Sequence, residues 1–179
     1  MAESDLIVNG QDFLLLRYKE ADFFINRCQF SSSAPLDKIQ NIKTSTPFFS
    51  GVFSYSGNKV LLFDYNAFLG KYFRCQPESE SRLCLLMKLG DFTEKGGKKI
   101  KSVLERNKQI SKDYLGLIIT SQAEIKPIAF EEIRLAPAKL RQALFEKGLC
   151  GCRFNVEDRI QYFVDLETGI MDIIYGRLS

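Results

Sequence analysis

Two features of this chain have residue types suited to chemistry: the close pair Cys150-Gly151-Cys152, and the aspartates Asp64 and Asp165, each ending an apolar run. Two thiolates can begin a metal site, and two carboxylates can share acid and base work. Zinc, however, takes four ligands, and the chain has no histidine and no second close cysteine pair. Its five cysteines, Cys28, Cys75, Cys84, Cys150 and Cys152, are odd in number and mostly far apart, which suits reduced thiols in a reducing compartment. Lacking histidine, the chain lacks the commonest general base and the commonest partner of a serine or cysteine nucleophile. Gly96-Gly97-Lys98-Lys99 has neither the spacing nor the Ser/Thr of a phosphate-cradling loop. The expectation is a non-enzyme with no metal and no cofactor, in which Asp64 and Asp165 cap the elements that follow them.

The elements around those residues are mostly strands. Pro47 to Gly70 contains an alternating arm through Val52, Phe53, Ser54 and Tyr55, then the turn Ser56-Gly57-Asn58, then the apolar arm Val60 to Phe63. Asp64 opens a short helix there, with Gly70 as its stop. Upstream, Asp12 to Tyr18 and Asp22 to Phe30 form a hairpin about Lys19-Glu20-Ala21. Ser31 to Pro35 breaks it, and Leu36, Ile39 and Ile42 recur at helix-like spacing. Polar Lys71 to Arg82, with Pro77, is the best internal boundary. Downstream strands are Leu83 to Leu89, Tyr114 to Thr120 and Ile125 to Phe130, the last placed at an edge by Pro127. Pro137 to Lys147 reads as a helix ending at Gly148, Cys152 to Asn155 and Ile160 to Leu166 as a hairpin, and Thr168 to Ser179 as a docking terminal helix.

Length and a hydrophobic content of 45% allow one substantial core or two small barrels packed together. The first ten residues have no signal-peptide run and no stretch reaches about 18 apolar residues, so a cytoplasmic location is expected. The formal charge of +3 is uneven: residues 94 to 112 hold seven Lys/Arg and two Glu, a local +5, leaving −2 elsewhere. With Ile100, Val103, Leu104 and Ile110 on one face, this segment from Gly90 to Asp113 reads as an inserted amphipathic helix on the surface. A nucleic-acid-binding small barrel using the basic 95–112 segment is the alternative reading. It calls for basic and aromatic residues interleaved on strands, whereas these lysines lie mostly off them.

A faint repeat of glycine, strand, turn, apolar strand and aspartate runs from Gly51 to Asp64 and again from Gly148 to Asp165. Two such hairpins, with few helices between short strands, favour closed or nearly closed β structures.

The order Gly51, Gly57, Asp64, Leu69, Gly70, followed by Tyr114 to Ile119 with Gly116 and by Phe163-Val164-Asp165-Leu166-Glu167, resembles the CheW family of chemotaxis coupling proteins. The resemblance covers roughly Phe13 to Asp172. It implies a mainly β fold of two five-stranded SH3-like barrels packed on a common hydrophobic seam. The whole chain, 1–179, is then one CheW-like domain, with a first barrel over 12–75, a second over 83–166 and a terminal helix over 167–179. It further implies a non-catalytic adaptor that links the cytoplasmic tip of chemoreceptors to the regulatory domain of the histidine kinase CheA, with CheW-like paralogues as further partners. No nucleic acid is expected, and a membrane is met only through the receptors. The partner-facing residues it suggests are Phe30, Ser32, Phe49, Val52, Tyr55, Ser56, Gly57 and Asn58, with Gly51, Asp64, Gly70, Gly116, Gly148 and Asp165 as structural motif positions. In this chain the family's turn arginine falls on Ser56, its strand proline on Leu61 and its acid at the end of the second strand on Ser32.

Overall fold

The computed structural model describes residues 10–36, 38–43, 47–105, 109–120, 123–134, 138–139, 148–154 and 159–174. Strands β1 (Gly10–Arg17) and β2 (Asp22–Asn26) form the expected antiparallel hairpin. Residues 32 to 35, expected to break it, instead form strand β3 (Ser32–Pro35), paired along its length with a later strand. The helix-like spacing of Leu36, Ile39 and Ile42 also misleads. Strand β4 (Gln40–Asn41) lies in that stretch, and Leu36 and Ile39 pack as apolar plugs on a sheet interior.

Strands β5 (Phe49–Tyr55) and β6 (Asn58–Asp64) make the central hairpin, and helix α1 (Tyr65–Phe73) follows at once. The Asp64 carboxylate accepts the Ala67 N–H at 2.9 Å and so caps α1 as anticipated. Gly70 does not stop the helix. It is exposed within it, and the left-handed C-cap is Arg74, at φ 54°. Strand β7 (Arg82–Lys88) leads through a short 3-10 turn at Leu89–Asp91 to helix α2 (Glu94–Leu104), the inserted amphipathic helix, here shorter than expected. Ile110 belongs not to that helix but to β8 (Ile110–Thr120).

Then come β9 (Ala123–Ala129), β10 (Leu149–Phe154), β11 (Ile160–Val164) and helix α3 (Leu166–Ile174). The helix read over 137–147 and the turn over 156–159 lie almost wholly outside the described residues.

The strands form two mixed sheets. One has the order β10-β11-β2-β1-β9 and the other β3-β7-β8-β6-β5-β4, so β9, with Pro127, is an outer strand. The sheets curl without closing, which corrects the expectation of two five-stranded barrels. One sheet has six strands, and the other is left open between β9 and β10, with Arg134, beyond the end of β9, exchanging backbone hydrogen bonds of 3.0 and 2.9 Å with Cys152 of β10. The chain is not shared out as 12–75 and 83–166 either. The C-terminal hairpin returns to the N-terminal one through the parallel pair β11–β2, so the first two strands belong with the last three.

The inner strands of each sheet are buried on both faces, and this is why they read as nearly unbroken apolar runs. Phe13, Leu15, Phe24, Ile128 and Phe163 fill the inside of the five-stranded sheet. Phe53, Val60, Leu62, Cys84, Leu86 and Ile118 fill the inside of the six-stranded one. The alternate residues, among them Leu14, Leu16, Phe23, Ile25, Leu61, Phe63, Leu85, Leu115 and Leu117, meet in one large core between the sheets. That is the common seam, and α1, α2 and α3 contribute Phe68, Ile100 and Ile170 to it.

Candidate functional site

The tip of the β5–β6 hairpin is a two-residue turn. Ser56 at φ 46° and Gly57 at φ 79° both take left-handed backbone, the geometry whose twist matches that of paired strands. Gly57 suits it without strain, and Ser56 is an uncommon residue to find there. Asn58 donates to the Ser56 carbonyl at 3.4 Å, and Ser56, Gly57 and Asn58 are exposed. A turn set by backbone preference and one side-chain hydrogen bond, with its polar side chains exposed, can be read by a partner at little cost in desolvation.

Next to the tip, Tyr55 is half-buried. Its ring lies edge-on to that of Tyr114 at 6.4 Å, and its hydroxyl is 3.4 Å from the Ser32 hydroxyl. Three strands separate β3 from β5 in the sheet order, so this contact is made by curling, across the mouth of the six-stranded sheet. The structure therefore brings Ser32 together with Tyr55, the residue beside Ser56. Sequence reasoning missed Tyr114. Its signal was its place at the head of an apolar strand, where an aromatic residue with a polar end suits a rim.

The apolar members of the predicted set lie elsewhere. Phe30, Phe49 and Val52 are only 7%, 4% and 3% exposed and belong to the seam. Phe49 packs edge-on against Phe63 at 5.4 Å, and the Arg27 guanidinium lies over the Phe30 ring at 4.6 Å. These three are packing residues, as large apolar residues usually are. Among the described residues the large hydrophobics that do face solvent are Ile125 and Phe130, at 56% and 50% exposure.

The motif positions have separate structural reasons. A Cβ on Gly51 would lie 2.6 Å from Ile39 Cγ2 and 2.8 Å from the Gln40 carbonyl oxygen. One on Gly116 would lie 2.7 Å from Leu62 Cδ2 and 2.8 Å from Cys84 Sγ. Gly148 sits at φ 73°, where a Cβ would stand 2.7 Å from Gly169 Cα. Asp165 accepts from the Thr168 N–H at 3.2 Å and from its hydroxyl at 2.7 Å, as Asp64 accepts at α1. Both aspartates are thus committed to capping, one in each hairpin unit.

Cys75 and Cys84 are not primed for reaction. Burial pushes Cys84 up to about 12. It pushes Cys75 up to about 11, where neighbouring Glu20 raises it further and Arg159 opposes. A reactive cysteine needs the opposite environment, one that favours the thiolate. No cluster of three metal-ligating side chains occurs among the described residues. No described helix is long and apolar enough to cross a membrane.

No family model matches the chain, and no curated protein matches it. Among solved structures it is similar to the scaffolding protein TtCheW from Thermoanaerobacter tengcongensis. The TM-score is 0.59 at 14% identity, over 93% of this chain and 91% of that one. At such identity the likeness is one of fold: the chain has a mainly β, CheW-like fold of two curled sheets on a shared seam.

Proposed function

We propose that this protein is a cytoplasmic, non-catalytic adaptor that couples chemoreceptors to the histidine kinase CheA. The observation that carries the reading is the CheW-like fold, matched over nearly the whole chain to a protein described as a scaffold. Capping roles for Asp64 and Asp165 and the burial of the Cys75 and Cys84 thiols fit a molecule that works by association.

In this reading the exposed turn Ser56-Gly57-Asn58, with Tyr55 and Ser32 beside it, forms the part of the surface that a partner reads. Two hydroxyl residues replace an arginine and an acid there. Losing both together leaves neither charge without its partner. Receptor choice is then where this chain departs from a typical coupling protein. Affinity in such an interface concentrates in a few residues, and assemblies gain strength by multiplicity.

The test is to titrate the protein separately with a receptor cytoplasmic fragment and with the CheA regulatory domain. Binding to both is expected, and binding to neither would refute the coupling role while leaving the fold untouched. Ser56→Arg combined with Ser32→Glu should shift receptor binding more than kinase binding. Equal effects on the two would count against the turn as a receptor-reading element.

A further inference from the structure

Helix α2 is poorly made to stand alone. It has 11 residues, short of the length at which isolated helices persist in water, and its first turn contains Gly96-Gly97, the weakest helix formers after proline. What those glycines touch explains them. A Cβ on Gly96 would collide with the Glu167 carboxylate, and one on Gly97 would lie 3.0 Å from the Leu89 carbonyl oxygen.

Glu167, in the first turn of α3, accepts the Thr93 N–H through both carboxylate oxygens at 3.0 Å and also accepts the Thr93 hydroxyl. The Thr93 hydroxyl oxygen in turn accepts the Gly96 N–H at 3.3 Å. The N-terminus of α2 is therefore capped by its own threonine, which is gripped from another helix. Among the described side chains of α2, Ile100 and Leu104 enter the seam, each 1% exposed. The helix packs on the 3-10 turn before it, on α3 and on β8, and it pairs with no strand.

Gly96 gives up helix stability to make room for a carboxylate from α3, and so favours docking over independent folding. We propose that α2 is a detachable strap over one end of the seam, closed in this structure by the Thr93–Glu167 latch and able to lift while both sheets stay intact. Lifting would bare the parts of α3, β8 and the 3-10 turn beneath it. Elements that open in this way come from the low-stability end of a fold.

Native-state amide hydrogen exchange on the intact protein, read by mass spectrometry, tests this without any partner. Amides of 97–104 should exchange at least about tenfold faster than those of 115–119 in β8. Glu167→Ala should speed α2 several-fold and leave β7 and β8 unchanged. Gly96→Ala should also speed α2, although alanine is the better helix former, because it expels the carboxylate. Thr93→Ser, which keeps the hydroxyl, should behave as the parent protein. Exchange of α2 as slow as β8, equal acceleration of helix and strands by Glu167→Ala, or slower α2 exchange in Gly96→Ala would each overturn the strap.

Discussion

The carbonyl of Gly148 accepts the Asp165 N–H at 2.7 Å, and the carbonyl of Phe48 accepts the Asp64 N–H at the same 2.7 Å. The correspondence extends outward. Phe48 and Gly148 both have left-handed backbone, at φ 66° and 73°. Each is followed by a strand whose register shifts one residue later, between Phe49 and Gly51 and between Leu149 and Gly151. In both units an aspartate then caps a helix. The sheet order matches as well, since β5-β6 joins β8-β7 through a parallel pair just as β10-β11 joins β2-β1. The fold is a doubled unit whose second copy recruits the N-terminal hairpin as its partner.

Gly148→Ala should lower unfolding free energy by about 3 kcal/mol, since it combines left-handed strain with a clash against Gly169. Gly70→Ala should leave stability unchanged or raise it by up to about 1 kcal/mol, because Gly70 lies in an exposed helix interior with its nearest obstacle at 3.6 Å. Urea denaturation of the two variants separates a required glycine from a coincidental one. Equal effects would contradict the assignment.

Gly116→Ala should cost about 1–3 kcal/mol by overpacking the inside of the six-stranded sheet. Cys84→Ala should relieve part of that cost, because the Cys84 sulfur is one of two groups the new methyl would strike. A double-mutant cycle should show coupling of about 0.5 kcal/mol or more. Strict additivity would mean that the two residues do not share the space described.

Stability should fall in mild alkali. The thiols of Cys75 and Cys84 titrate near 9 when unfolded and near 11 and 12 when folded. Above pH 9 the unfolded chain therefore releases protons that the folded one retains. This contribution is complete below about pH 9 and lost as pH rises through the folded values. Burial raises Tyr18 too, from 10.0, so its contribution is lost above pH 10. Melting midpoints should decline between about pH 9 and 10.5, less steeply in a Cys75→Ala, Cys84→Ala variant. Parallel declines in the two proteins would contradict burial of the thiols.

Much of this was legible in the chain. Paired apolar runs about the short segments Lys19-Glu20-Ala21 and Ser56-Gly57-Asn58 located the N-terminal and central hairpins, and Asp64 marked the start of α1. The repeat was visible but misaligned, because glycine served as its marker. The structural counterpart of Gly148 is Phe48, a residue held in left-handed backbone by its surroundings, and Gly51 corresponds to Gly151. Strand β3 was missed because Ser-Ser-Ala-Pro has turn composition and becomes a strand only by pairing with β7. Sheet membership was hidden for the same reason, since the parallel pair β11–β2 joins residues 139 apart in the chain, as at Asp22 and Gln161. At the hairpin tip, Ser56 and Gly57 were placed correctly as a turn, whereas Asn58, read as part of it, is the first residue of β6. Phe49 and Val52 were not surface residues, because strands buried on both faces give no alternation from which to tell inside from out, and Phe30, just past the 3-10 turn at Arg27–Gln29, is buried as well.

Bridging is the central claim, and co-sedimentation tests it most directly. Receptor-containing membranes are pelleted with CheA in the presence and absence of this protein, with no other coupling protein added. The account predicts that CheA enters the pellet in proportion to added protein until the receptor sites are filled. A pellet whose CheA content does not change would contradict it.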